Sequence, residues 1–376
     1  MRAAILKEQA PGERRVAVTP QAISKLAGIG VAASVETGSG TAAGFTDDDY
    51  REAGAEVVSE RPSEAELVPF IGPPAASWLD QFSPGTTLVG LLDPFTNADI
   101  VHKLAEQRLT AFAFEAMPRT TLAQNMDALS SQATAAGYAA VLAAAVASPR
   151  FFPMFTTAAG TVPPSKVLIL GTGVAGLQAI ATARRLGAVV SAYDIRPEAQ
   201  EQVESLGARF VAAPVSEDAS TEGGYAKEVG QDTQQRQLEA LAPHVAETDV
   251  LIATAQIPGR PAPLLVSGPM AEAMRPGSVI VDVAAPTGGN CEVSVPGETI
   301  DFHGVTVMGP TDLASRVAGD ASEMYARNVA ALLELIVRDG ELVLDFDNEI
   351  VDGACVAHDG DIRNPFARRA AGMVEA

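Results

Sequence analysis

A chain of 376 residues, 47% hydrophobic and 19% charged, has enough apolar material for about two globular domains. Its net charge of −21 disfavours nucleic acid or an anionic membrane surface as a direct partner; it suits a soluble protein, or one that docks on a basic partner. Two cysteines, Cys291 and Cys355, are too few for a disulfide scaffold or a cysteine-based zinc site, and read as ordinary thiols in a reducing compartment.

The opening "MRAAILKEQAPGERRVAVTP" lacks an apolar h-region, so no secretory signal is expected. Within it, "AAIL" (3–6) reads as a buried strand. "TPQAISKLAGIG" (19–30) reads as a helix with Thr19 as N-cap and Pro20 at the first helical position. "VAASVE" (31–36) is the next strand. "TDDDYREAGAEVV" (46–58) is a helix opened by Thr46 and an acidic first turn, leading into another strand. "TTLVGLL" (86–92) and "TAFAF" (110–114) are strands around a helix near 97–107. This alternation predicts an α/β unit with a mainly parallel sheet.

A long helix is expected over 126–147. Its apolar run "GYAAVLAAAVA" (137–147) falls short of the roughly 20 residues that cross a bilayer, so no direct membrane span is expected. "SPRFFPMFTTAAGTVPPS" (148–165) reads as irregular. A second α/β series follows, with strands at "KVLIL" (166–170), "AVVSAYD" (188–194), "ARFVA" (208–212), "DVLIAT" (249–254), "SVIVDVA" (278–284) and "VTVMG" (305–309). The polar, glycine-bearing stretch 214–237 reads in its first half as a loop, of the kind that forms lids. A long helix near 312–338 and a tail of short strands or hairpins close the chain. Two long helices flanking the second series imply an interleaved layout. Residues 1–126 with 312–376 then form a discontinuous N-terminal domain, and 127–311 a nucleotide-binding domain. The expected fold is two Rossmann-like α/β domains joined by long helices, with a hairpin-like C-terminal tail.

The segment "KVLILGTGVAGLQAIATARRLGAVVSAYDIRP" carries the strongest local signal. Gly171, Gly173 and Gly176 form G-x-G-x-x-G directly after a buried strand and open a helix. The first glycine permits the tight turn, the second the approach of a pyrophosphate, and the third close helix–strand packing. The helix N-terminus offers N–H groups to the phosphates. Asp194 closes the next strand, where a carboxylate can accept ribose hydroxyls and repel a 2′-phosphate; that favours NAD(H). Arg196 beside it could instead pair with such a phosphate. The histidines (His102, His244, His303 and His358) show no metal-like spacing and sit beside no other catalytic type. His102 and His244 fall on helices and His358 in a turn. There is no nucleophile elbow, P-loop or clustered metal site. A chain that binds a redox cofactor without acid–base machinery fits direct hydride transfer between two nicotinamides, in which the protein orients rings and excludes water.

The segments "ERRVAVTP" (13–20), 166–197, "GGYAKE" (223–228), "IPGRPAP" (257–263) and "GGNCE" (288–292) resemble the soluble NAD(H)-binding component (domain I) of proton-translocating NAD(P) transhydrogenase, with alanine dehydrogenase as a relative of the same layout. The resemblance runs along essentially the whole chain. It implies that Arg119, Gln124, Asp127 and Ser130, within "PRTTLAQNMDALSSQ" (118–132), hold the carboxamide and ring of NAD(H), with the glutamine reaching toward the partner nucleotide. Amide and carboxylate groups can fix a carboxamide without titrating near neutrality. The resemblance further implies cofactor contacts at Val174, Ala175, Ile195, Ala255, Gln256 and Pro258, and a mobile loop whose Tyr225 closes over the nucleotide. It implies a homodimer, an NADP(H)-binding partner component, and membrane proton-channel subunits that hold the chain at the cytoplasmic face of a bacterial inner membrane.

Departures bear on the alternative, a stand-alone alanine dehydrogenase-like enzyme. Phe70 stands where relatives carry lysine, and "GLLDPF" (90–95) lacks that enzyme's histidine. Arg15 matches its substrate arginine, but the catalytic aspartate near 286 is missing. Leu122 replaces a common arginine, and Pro286–Thr287 interrupt a segment that is usually acidic–Gln before Gly-Gly. A non-catalytic NAD(H) sensor is disfavoured by the Arg119, Gln124, Asp127 and Ser130 set, because a sensor need not orient a nicotinamide ring.

Overall fold

The computed structural model describes residues 1–60, 65–72, 75–213, 231–257 and 259–373. The chain divides into two units, Met1–Gln132 with Ala314–Ala376, and Ala133–Leu313.

The first unit begins with β1 (Arg2–Ile5), α1 (Pro20–Gly28), β2 (Ala32–Glu36), α2 (Asp47–Glu52) and β3 (Glu56–Val58). It continues with β4 (Leu67–Pro69), β5 (Thr87–Gly90), α3 (Ala98–Glu106) and β6 (Thr110–Ala113). These six strands pair in parallel in the order β6-β5-β4-β1-β2-β3. Their short apolar runs are buried because helices cover both faces of such a sheet. Thr46 and Asp49 form a reciprocal capping box at α2. Thr19 occupies the N-cap position of α1 but makes no side-chain cap bond; its hydroxyl is buried without a partner. The strand β4, three residues long, has no counterpart among the elements expected from the sequence.

Helix α4 (Ala128–Ala147) begins two residues later than expected, after a 3-10 turn at Thr121–Met126. By length and composition it could cross a membrane. Ala128 nevertheless lies in the core of the first unit, and Ala139, Ala140, Val141 and Ala144 in that of the second. The stretch expected to be irregular holds a hairpin, β7 (Phe155–Thr157) and β8 (Gly160–Val162).

The second unit then runs β9 (Lys166–Leu170), α5 (Val174–Arg185), β10 (Val189–Tyr193), α6 (Ala199–Ser205), β11 (Arg209–Val211), α7 (Gln231–Ala246), β12 (Val250–Ala253) and α8 (Gly268–Glu272). β13 (Val279–Asp282), β14 (Thr299–Phe302) and β15 (Val305–Met308) complete it. The order is β11-β10-β9-β12-β13-β15-β14, parallel except for β14, which hairpins back onto β15. Residues 231–237, counted in the expected loop, belong to α7; residues 214–230 lie outside the described residues.

The chain returns to the first unit through α9 (Ala318–Ile336), preceded by a 3-10 turn at Ala314–Val317. A two-stranded ribbon follows, β16 (Val337–Arg338) and β17 (Glu341–Leu342). The tail also contains α10 (Glu349–Ala354) and α11 (Pro365–Ala370), not only strands. Between them β18 (Cys355–His358) and β19 (Asp361–Ile362) extend the first sheet, β18 antiparallel to β6. His358 is therefore a strand residue and not a turn residue; its Nδ1 lies 2.9 Å from Thr110 Oγ1.

Candidate functional site

In an open parallel sheet, ligands bind beyond the carboxyl ends of the strands where the strand order reverses. In the second unit that point lies between β9 and β12. Gly171 leaves β9 at φ 88°, a left-handed turn that favours glycine. A Cβ on Gly171 would lie 2.8 Å from Ala255 N, and a Cβ on Gly176 2.0 Å from Gly171 O. Both glycines are therefore demanded by backbone packing. Gly173 differs: a Cβ there would meet nothing within 4 Å, so this glycine faces open space. It stands at the N-cap of α5 and has no side chain to cap the first-turn N–H groups. Val174 is exposed beside it and Ala175 half-buried. The arrangement fits a pyrophosphate on the N-terminus of α5.

Asp194 follows β10 and is buried. Its Oδ2 accepts from Thr172 N and Thr172 Oγ1, each at 2.8 Å. Its Oδ1 accepts from Arg196 N at 3.0 Å and Nε at 2.9 Å, and Arg196 Nη2 reaches Oδ2 at 2.8 Å. Burial alone would raise this carboxyl. The hydrogen bonds and charge of Arg196 outweigh that, and hold it below the usual carboxylate range. Arg196 is thus folded onto Asp194 through its guanidinium. Ile195, between them, is half-buried against the apolar cluster that contains Tyr193.

Beyond β12 the segment carrying Ala255 and Gln256 crosses the glycine turn. Thr254 Oγ1 donates to Gly171 O at 3.0 Å. Asn290, fully buried, pairs with Ala255: its Oδ1 accepts from Ala255 N at 3.0 Å and its Nδ2 donates to Ala255 O at 2.9 Å. The departure at Pro286–Thr287 forms a 3-10 turn at Ala285–Thr287, and Thr287 O accepts from Ala262 N at 2.7 Å. Pro258 and Tyr225 lie outside the described residues.

In the first unit, Arg119, Leu122 and Gln124 are exposed, Leu122 to 76%. Partial burial lowers the pKa of Arg119, against the opposing charge of Asp127. Asp127 caps α4: its Oδ1 accepts from Ser130 N at 2.9 Å and its Oδ2 from Ser130 Oγ at 2.6 Å. Asp127 and Ser130 therefore act as one hydrogen-bonded pair. The segment is tied to α9: Asn328 Nδ2 donates to Asn125 O at 2.8 Å, and Ser131 Oγ donates to Asn328 Oδ1 at 2.8 Å. Gln132 Nε2 donates to Ala321 O at 3.1 Å, and Gln132 Oε1 accepts from Arg15 at 2.7 Å.

The residues with alanine-dehydrogenase counterparts are engaged otherwise. Arg15 also makes a bidentate pair with Glu13, at 2.8 and 2.6 Å. Phe70 is buried, edge-on to Trp78 at 5.7 Å, and its carbonyl accepts from Tyr325 Oη at 2.7 Å. Sequence reasoning missed Thr172, Asp282, Asn290 and Asn328. A faint signal existed for Asn328, a polar residue on the buried face of a long helix. Thr172 sits inside the glycine motif itself.

The chain matches the family described as alanine dehydrogenase/PNT, with the N-terminal domain over residues 4–136 and the C-terminal domain over 140–365. It is 45% identical to the first of the NAD(P) transhydrogenase alpha-subunit polypeptides of Rhodospirillum rubrum, over 97% of this chain and 98% of that protein. A solved transhydrogenase from Sinorhizobium meliloti superposes with a TM-score of 0.87 at 41% identity, covering 96% of this chain and 100% of the other. Alanine dehydrogenase 1 of Staphylococcus aureus is more distant, 28% identical over 97% of this chain and 95% of its own length. The chain belongs to the alanine dehydrogenase/PNT family.

Proposed function

We propose that this chain is the NAD(H)-binding first polypeptide of the alpha subunit of a proton-translocating NAD(P) transhydrogenase. A hydride passes directly between NADH on this chain and NADP+ on a partner component, and proton translocation takes place in a membrane partner. The observation that carries the reading is the 45% identity to such a polypeptide along 97% of the chain. The buried phenylalanine at position 70 and the Glu13-paired Arg15 weigh against the alanine dehydrogenase reading.

The nicotinamide supplies the hydride chemistry, and the chain's residues bind and orient it. The open face at Gly173 and the start of α5, with Val174, Ala175 and Gly176, receive the pyrophosphate. Asp194 takes the ribose, in competition with Arg196 for its oxygens, and Ile195, Ala255 and Gln256 line the cofactor. Arg119, Gln124 and the Asp127–Ser130 pair address the carboxamide and ring, with Gln124 toward the partner nucleotide. None of these needs to exchange a proton during the transfer.

Mixing the purified chain with a transhydrogenase NADP(H)-binding component and NADH should give hydride transfer to an NADP analogue. No transfer, together with NADH oxidation by pyruvate and ammonium, overturns the proposal. We further infer a homodimer at the cytoplasmic face of a bacterial inner membrane, held there by partner subunits. Support for a second copy comes from the β7–β8 hairpin and the residues just before it, where Phe151, Met154, Phe155 and Val162 are exposed and Phe151 contacts Phe155 edge-on at 4.7 Å. Such an apolar group favours association. Sedimentation should report a dimer, converted to monomer by Phe151→Ser with Phe155→Ser.

A further inference from the structure

The loop that crosses the glycine turn is held from behind by a chain of buried polar contacts. It begins at Asp282, the last residue of β13 and fully buried. Asp282 Oδ2 accepts from Asn290 N at 2.9 Å, Cys291 N at 3.0 Å and Ser294 Oγ at 2.6 Å, and Oδ1 accepts from Ala284 N at 3.1 Å. A buried carboxylate that gathers this many donors fixes the loop it serves. Asn290 is thereby placed to use its side chain elsewhere. Its amide pairs with both backbone groups of Ala255, as a neighbouring strand would, and its Nδ2 also donates to Pro263 O at 2.7 Å. Its own carbonyl accepts from Leu265 N and Val266 N at 2.8 and 2.9 Å. Both ends of the segment from Ala255 to Pro263 are thus pinned to one side chain. At its near end the segment abuts Gly171 so closely that a Cβ there would lie 2.8 Å from Ala255 N.

We propose that Asn290, set in place by Asp282, is a positioning residue for dinucleotide binding. Its amide clamps Ala255 against the Gly171 turn, so the backbone surface that meets the nucleotide is shaped before the ligand arrives. The cost of ordering that surface is met in the fold instead of at binding. An amide suits the task because it offers a donor and an acceptor at once, which neither aspartate nor leucine can do at similar size. This inference rests on the reading that the Gly171 turn binds NAD(H).

The test compares the full-length chain with Asn290→Ala and Asn290→Ser. Ser165→Ala is the control for loss of a side-chain hydrogen bond at the opposite end of the same sheet, where buried Ser165 Oγ donates to Phe151 O at 2.8 Å. NADH affinity is measured by fluorescence titration, hydride transfer with the NADP(H)-binding component at saturating NADH, and amide exchange at Ala255 by NMR. Expected for Asn290→Ala are a tenfold or greater rise in Kd, transfer at saturation within threefold of the parent, and faster exchange at Ala255. Ser165→Ala should match the parent in all three. Asn290→Ser carries the same expectation should the alanine variant not fold. A Kd within twofold of the parent in a folded Asn290 variant overturns the proposal. Failure of the parent chain itself to bind NADH would instead sink the reading of the site on which it rests.

Discussion

The two sheets share a topology and differ in what stands at their switch points. In each, parallel strands run in the same winding order, reversing between β9 and β12 in one unit and between β1 and β4 in the other. In the second unit β9 ends in the Gly171 turn and the chain enters a helix directly, leaving Gly173 facing open space. In the first, β1 is followed by a polar loop, and Glu8 reaches across the crevice. Its Oε1 accepts from Ile71 N at 2.7 Å and its Oε2 from Gly72 N at 3.5 Å, just beyond β4. There the chain's own carboxyl group fills the crevice that the second unit lines with the uncapped start of α5. Winding order alone therefore does not make a nucleotide site; the loop after the first strand decides.

The comparison breaks if the second unit's glycines are dispensable. Gly176→Ala would put a Cβ 2.0 Å from Gly171 O and force the turn apart. NADH affinity should fall at least a hundredfold, about 3 kcal/mol; calorimetry that finds a loss under tenfold would show that the turn is not the phosphate site. A smaller effect is expected at the ribose end. Asp194→Ala removes a charged acceptor and should cost roughly 1–3 kcal/mol of NADH binding. It also removes the carboxylate that would repel a 2′-phosphate, so binding of NADPH should improve relative to NADH; an unchanged preference would contradict the ribose assignment.

What could be read in the sequence follows the range of the contacts. The glycine turn and Asp194 are local to one strand–helix–strand unit, so spacing revealed them. The Asn290–Ala255 pair spans 35 positions and the Asn328–Asn125 pair 203, and no periodicity reports such pairs. Thr19 has the right residue type and position for a cap, but burial without a partner overrides the rule. β4, at three residues, is too short to display an alternation. The hairpin at 155–162 has all six strand residues exposed, so it lacks the buried stripe by which strands are recognised. The group at 119–130 was legible only through family resemblance, since exposed polar residues on a loop look alike in any sequence.

That group gives the next prediction. Gln124→Asn shortens an exposed side chain without touching the glycine turn. Transfer at saturating NADH should slow about tenfold, near 1.4 kcal/mol, with the Kd for NADH within about twofold. An equal loss in both would mean that Gln124 binds and does not orient.

A separate measurement tests the first unit's filled crevice through stability. Burial pushes the Glu8 carboxyl up to about 8, against the backbone donors from Ile71 and Gly72; Glu13 adds to the rise and Arg15 opposes it. The unfolded chain binds that proton only below the ordinary carboxylate value near 4.5. Between these limits the folded state holds more protons, so stability falls as pH rises through the window and the contribution is lost above about 8. Glu8→Gln cannot titrate, yet its amide oxygen can still accept from Ile71 N. Melting temperatures of parent and variant should lie close together at about pH 5 and separate with rising pH, the variant melting higher at about pH 8. Parallel curves would mean that Glu8 carries its charge throughout. The crevice between β1 and β4 would then be solvated like its counterpart, and the contrast between the two switch points would rest on the glycines alone.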